Sequence, residues 1–185
     1  MELDFSDPGK VRFYMNSYTD KVLEEYCGYL GKPASTPASD FLFDVRPDES
    51  QKLPPEAHAR LFHHFVVQLL FLSTRVQRDI KTAVEFLTTR VRAPDDDDWG
   101  KLGRVMRYLA GLPYLPLTLE ADKGLDVVMC WWVDTSFAVH ADFKGHSGLA
   151  LSFGKGAIID ASKKQRINTR STTECELVGF DDTMP

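Results

Sequence analysis

The sequence predicts an α+β chain: an N-terminal β-hairpin, three helices, then a strand-rich C-terminal third running into a further helix. Three observations carry this. Apolar residues recur at helical spacing from Leu61 to Leu109. A continuous run of β-forming residues, 127–133, follows them. Turn residues separate short apolar runs at both ends of the chain.

Taken in order, 3–5 and 11–15 flank Ser6-Asp7-Pro8-Gly9 and read as a hairpin. Asn16-Ser17 read as the cap of a helix over 18–26 that Gly28 ends. Residues 31–56 hold five prolines and form an irregular connector, with Phe41-Leu42-Phe43 as its anchor onto something apolar. Leu61, Phe65, Leu69 and Leu72 mark one helix; Ile80, Val84, Leu87 and Val91 a second; Trp99, Leu102, Val105, Met106 and Leu109 a third. Asp95-Asp96-Asp97-Asp98 meets the positive end of the third helix and reads as a solvated cap. Gly111-Leu112-Pro113 closes the helical part. Run 127–133 suits a buried strand. Runs 149–153 and 157–161 flank Gly154-Lys155-Gly156 as a second hairpin, and Ser171-Thr172-Thr173 caps the last helix.

A length of 185 residues allows one ordinary domain or two small ones, and the natural split lies near 115–125. Apolar content of 43% with 26% charge is that of a globular chain. No apolar run is long enough for a bilayer, and the N-terminus lacks the basic and apolar regions of a signal peptide. An intracellular chain with no membrane partner is expected. Cys27, Cys130 and Cys175 are scattered and odd in number, which fits reduced thiols rather than a zinc site. The net charge of -5 hides an asymmetry: residues 1–60 carry 7 basic against 11 acidic groups, whereas 144–170 carry 6 basic groups against Asp160 alone. A local basic segment is a nucleic-acid signal, and exposed basic strands also occur without any such partner.

Few residues stand out as chemical groups. His63-His64 lie in an apolar helix, where a core or rim position is the default. His140 and His146 bracket a turn where exposure is expected. There is no HExxH motif, and Gly154-x-Gly156 sits in a hairpin rather than in a phosphate loop. Trp131 and Trp132 are adjacent on a strand, so they face opposite ways and read as packing residues. Asp134 ends the apolar run and reads as a strand-terminating turn residue or a metal ligand. Glu174 and Glu176 open a helix two residues apart, so they point in different directions, and first-turn glutamates are commonly there for the dipole.

Two blocks carry a resemblance: Trp131-Trp132-Val133-Asp134-Thr135-Ser136, then Ser162-Lys163-Lys164-Gln165 with Ser171-Thr172-Thr173-Glu174-Cys175-Glu176-Leu177. Together with Thr36-Pro37-Ala38, 67–72, Arg78-Asp79-Ile80 and Arg107-Tyr108-Leu109, the order resembles the copia-type LTR retrotransposon Pol polyprotein. The resemblance covers essentially the whole chain. It implies that 1–30 is the end of a reverse transcriptase palm, 31–56 a connector and 57–114 a helical thumb of three helices. It implies that 115–185 is an incomplete RNase H-like domain with a mixed sheet.

Carried over residue by residue, Asp134 matches the first catalytic, metal-ligating aspartate and Glu176 the helix glutamate, with Glu174 as the backup. The implied cofactor is Mg2+, in a two-ion centre. Arg75, Arg78, Lys101, Arg104, Lys163 and Lys164 are the implied contacts to primer–template or RNA–DNA hybrid, although most can be solvated helix faces. The rest of the Pol polyprotein is the implied protein partner. Arg78 stands where the family usually has proline, and Ser136 where many members have a second aspartate. No Tyr-x-Asp-Asp occurs, and the later RNase H aspartates are expected beyond Pro185. The parent activities would be RNA-directed DNA synthesis and hydrolysis of the hybrid's RNA strand, with this fragment inactive alone. The alternatives are an inert remnant, or a helical protein-interaction module over 57–110.

Overall fold

The computed structural model describes residues 1–46, 55–112, 114–121 and 128–184. The parts of the connector, of the helix-closing Pro113 and of the apolar run that fall on 47–54, 113 and 127 lie outside the described residues. The architecture is mixed: a β-hairpin, helices, then sheet and a final helix. The chain divides into two compact units, Met1–Glu2 with Phe13–Pro116, and Leu3–Arg12 with Leu117–Pro185.

The first unit is built from α1 (Asn16–Glu25), α2 (Glu56–Arg75), α3 (Lys81–Thr88) and α4 (Asp96–Gly111), with a 3-10 turn Arg78–Ile80 leading into α3. Helix α1 starts at Asn16 itself, with Met15 in the cap position and no side-chain cap. The expected Asn16-Ser17 cap is therefore corrected. Thr19 instead returns its hydroxyl to the Met15 carbonyl at 3.1 Å. Helix α2 buries Phe62, Phe65, Val66, Leu69 and Leu72, whereas Leu61 is 36% exposed. The apolar stripe thus runs one residue later than Leu61 at its start. From α3 and α4, Val84, Leu87, Leu102, Val105, Met106 and Leu109 are wholly buried against it. Each such side chain removed from water contributes about 1.5–3 kcal/mol, which makes this the stabilising core of the unit. Leu70 and Trp99 are half-buried; Trp99 packs edge-on to Phe62 at 5.3 Å and stacks on His58 at 4.4 Å.

The aspartate run is more than a solvated cap. The Asp98 amide donates to Asp95 Oδ1 at 2.9 Å, and the Asp95 amide donates to Asp98 Oδ2 at 3.0 Å. This is a reciprocal capping box, with Asp98 in the position usually taken by Glu or Gln. Asp98 is 1% exposed and pairs with Arg90 Nε at 2.9 Å. Asp96 and Asp97 remain exposed, and Arg46 binds Asp97 through two 2.6 Å hydrogen bonds. The connector is anchored as its apolar triplet suggests: Leu42 is buried and Phe43 meets Phe86 edge-on at 5.7 Å, while Phe41 stays exposed.

The second unit holds two small sheets. One has the order β1 (Glu2–Asp4), β2 (Lys10–Tyr14), β3 (Leu117–Ala121), β6 (Gly154–Lys155). The β1–β2 turn uses Gly9 at φ 80°, a left-handed conformation that glycine adopts freely. The other sheet has the order β4 (Cys130–Ser136), β5 (His146–Ser152), β7 (Ile159–Lys164), all antiparallel. Helix α5 (Thr172–Thr183) packs on it through Cys175, Gly179 and Thr183. The expected tight Gly154-Lys155-Gly156 turn is corrected. β5 and β7 do pair as a hairpin, but residues 154–155 leave it to pair with β3, Glu120 opposite Lys155. The wholly buried strand is corrected too: β4 alternates half-buried and exposed residues, with Trp132 54% exposed, because α5 covers one face of its sheet and Trp132 lies on the other.

Candidate functional site

Strand register fixes where the sequence-predicted residues project. Residues paired directly across a sheet share a face. Asp134 stands opposite Gly148, which stands opposite Ser162; Ser136, His146 and Lys164 form the next row on that face. Thr135, Ser147 and Lys163 form a row on the other face. A Cβ added at Gly179 would lie 2.2 Å from Thr135 Cγ2 and 3.2 Å from Ser147 Oγ, so α5 covers the Thr135 face. Asp134 therefore projects from the face opposite α5, two residues before β4 ends. Its direct strand neighbour is β5; β7 lies one strand further.

Glu174 and Glu176 are both exposed on α5. Glu174 is engaged in the helix start: its carboxylate accepts from the Arg170 amide at 2.6 Å, and its own amide donates to Ser171 Oγ at 3.2 Å. That leaves Glu176 as the glutamate with its carboxylate at liberty, since no described hydrogen bond or ion pair reaches it. Helix α5 lies chiefly over β4.

Both residues are hard oxygen donors of the kind magnesium prefers. Among the described residues, however, no three His, Cys, Asp or Glu side chains converge as a metal site. Two exposed carboxylates, one on β4 and one on α5, do not supply the fixed ligands of a two-ion centre. The described residues by themselves do not fit that group, and no chemical step is routed through it.

The basic candidates are largely committed within the chain. Lys101 donates to the Asp44 carbonyl, lies 4.6 Å from the centre of the Phe86 ring and is 4.0 Å from Asp98. Arg104 holds the connector, with Nε on the Thr36 carbonyl at 3.1 Å and Nη2 on Thr36 Oγ1 at 2.8 Å. Lys163 donates to the Asp182 carbonyl at 2.6 Å, at the C-terminal end of α5. Lys164 pairs with Asp142 at 2.7 Å. Arg78 is half-buried, and burial pushes its guanidinium below its ordinary range. Arg75 is exposed and lies over the Phe71 ring at 5.3 Å.

Sequence reasoning missed two polar clusters. Gln165 is 1% exposed and ties three elements together: Nε2 donates to Ser147 Oγ at 3.0 Å and to the Cys175 carbonyl at 2.9 Å. The second cluster is a relay. His140 Nε2 and His146 Nδ1 lie 3.1 Å apart, and His146 Nε2 lies 2.7 Å from Ser162 Oγ. Both histidines are 7% exposed, which corrects the expectation of exposed turn histidines. Burial depresses both imidazoles, His146 to about 4, with the neighbouring His140 adding to it. The one sequence signal for Gln165 was its place in the Ser-Lys-Lys-Gln block.

Over 91% of its length the chain is 35% identical to the Retrovirus-related Pol polyprotein from transposon RE2 of Arabidopsis thaliana. Its relatives are transposon Pol polyproteins. A second, from transposon TNT 1-94 of Nicotiana tabacum, is 26% identical over 94% of the chain. The chain spans 11% and 13% of the length of these relatives. No protein-family model matches the chain, and no solved structure matches it. Pol-polyprotein similarity thus extends across both compact units and supports a fragment of a retrotransposon polyprotein. No helix among the described residues is long and apolar enough to cross a membrane.

Proposed function

We propose that the chain is the copia-type Pol segment in which the helical thumb of a reverse transcriptase runs into the opening of RNase H. The observation that carries this is continuity. One alignment to a Pol polyprotein runs through 170 residues, across the helical unit and the sheet unit alike. In this reading α2, α3 and α4 form the thumb, and β4, β5, β7 and α5 open the RNase H part. Asp134 and Glu176 are its metal-ligating carboxylates, and the fragment grips primer–template or RNA–DNA hybrid through phosphate contacts.

The liberty of Glu176, with Glu174 held in the helix cap, supports Glu176 as the site glutamate. Asp134 and Glu176 would hold magnesium only together with further carboxylates, which the described residues do not bring to them. The chain's own contribution there is to hold two carboxylates on rigid elements, one on a strand and one on a helix anchored by Gln165.

The chain alone turns over neither DNA synthesis nor hybrid cleavage, because two carboxylates cannot hold two magnesium ions against bulk water. Incubation of the purified chain with a labelled RNA–DNA hybrid and magnesium is the test. No cleavage above buffer is expected. Magnesium-dependent cleavage that is lost in Asp134→Asn would overturn the inactivity and leave the site assignment standing.

A further inference from the structure

The His140–His146–Ser162 relay joins the loop 137–145 to β5 and β7, and the use made of it so far is structural. His140 comes from the loop, His146 opens β5 and Ser162 lies on β7. The connectivity is that of a nucleophile, a base and an orienting group. Yet Ser162 is 7% exposed and the central imidazole is a poor base at neutral pH, so acyl-transfer chemistry is not favoured.

Proton counting points elsewhere. A neutral imidazole carries one N–H, and one N–H suffices for each contact of the relay. When both rings are protonated, two N–H groups face each other across 3.1 Å with no acceptor between them. The charges nearby do not offset this. Lys164 on β7 adds positive charge beside His140, Asp142 in the loop opposes it, and Asp142 is itself shared with Lys164 at 2.7 Å and Lys144 at 3.7 Å. On β4, Ser136 pairs with His146, and Asp134 projects from the same face one row away.

The loop also has a reason to open when released. Ala138 and Phe143 adopt φ of 52° and 59°, the left-handed region that side chains other than glycine rarely occupy. Such conformations persist only where surrounding contacts hold them. Here the contacts include the relay, the Asp142–Lys164 pair, Asn168 Nδ2 donating to the Asp142 carbonyl at 2.9 Å, and the Gln165 amide donating to the Gly145 carbonyl at 2.9 Å.

We propose that His140, His146 and Ser162 form a proton-sensitive latch, which holds loop 137–145 onto β5 and β7 when both imidazoles are neutral and releases it on acidification. The released loop follows directly on β4, so opening frees the end of the strand that carries Asp134. The proposal does not depend on the nucleic-acid role of the chain.

The test is amide exchange and imidazole titration by NMR on the full chain, from about pH 7.5 to about pH 5. The His140 amide donates to the Lys144 carbonyl and the Phe143 amide to the His140 carbonyl, so both report the closed loop. Their protection, corrected for intrinsic rate, should fall by about tenfold or more while amides of α5 keep theirs. In His146→Gln the pH dependence at these two amides should vanish. Unchanged loop protection, loss of loop and α5 protection together, or a pH response retained in the variant would each overturn the latch. Should His146→Gln fail to fold, the wild-type profile decides: imidazoles titrating at their ordinary value beside a steady loop overturn it alone.

Discussion

The Gln165 side-chain amide donates to the Cys175 main-chain carbonyl at 2.9 Å, and this bond ties the end of β7 to the first turns of α5. Gln165 also holds Ser147 on β5, and its Oε1 accepts from the Cys175 thiol at 3.4 Å. The Ser-Lys-Lys-Gln block thus has a structural job at each of its four positions, Lys164 through its pair with Asp142 at 2.7 Å. Ser162 meets His146, Lys163 reaches the Asp182 carbonyl near the end of α5, and Gln165 ties the helix start to the sheet.

Replacing Gln165 with alanine should therefore destabilise the sheet unit by about 2–3 kcal/mol, because buried partners are left unsatisfied. Gly179→Ala should cost about 1–3 kcal/mol there, since its Cβ would drive into Thr135. Urea unfolding followed by α5 amide signals measures both. Wild-type midpoints in both variants would show that α5 is not seated as described.

The face of α2 is tested by two neighbours. Phe62 is fully buried and Leu61 is 36% exposed. Phe62→Ala should cost about 3–5 kcal/mol. Leu61→Ala should cost under about 1 kcal/mol. Equal losses in a denaturant titration would contradict the packing.

At the start of α4, Asp95→Ala removes one half of the capping box and should cost about 1 kcal/mol. Asp98→Ala should cost more, about 3 kcal/mol, since it also strips Arg90 of its buried partner at 2.9 Å. Thermal unfolding followed in the helical unit gives the order directly; Asp95 as the costlier residue would be inconsistent with it.

The pH dependence of the sheet unit follows from His146. Its folded pKa is depressed to about 4 and its unfolded value is near 6.5. A group whose folded pKa is depressed contributes stability above its unfolded pKa and loses it as pH falls toward the folded value. Closure of loop 137–145 onto the sheet should thus weaken between about pH 6.5 and pH 4, by on the order of 3 kcal/mol in total. His146→Gln should flatten that slope in loop amide exchange at stepped pH; a slope unchanged in the variant would place its origin elsewhere.

What was legible in the sequence was repeated pattern. Val84, Leu87, Leu102 and Met106 announce their burial because one helix face meets one core. What was not legible depends on partners distant in the chain. Residues 127–133 look like a buried strand by composition, but α5 covers only the other face of the sheet and leaves Trp132 exposed. The Gly154-Lys155 segment looks like a turn and becomes a strand because β3 is there to receive it. His140 and His146 look exposed in a turn, and only the approach of β7 with Ser162 gives them polar partners inside. For the candidate site, Asp134 and Glu176 came from motif order; that Asp134 projects from the face opposite α5 came from register and from Gly179.

Binding of a labelled RNA–DNA hybrid to the full chain across a salt series decides whether the chain grips nucleic acid. The logarithm of the affinity should fall linearly with the logarithm of salt concentration, as phosphate contacts require. Arg75→Ala, at an exposed position, should weaken binding and reduce the slope by about one. Arg104→Ala, whose guanidinium is spent on Thr36, should leave the slope unchanged. A folded chain that binds no hybrid even at low salt, or binds it with no salt dependence, would contradict the account.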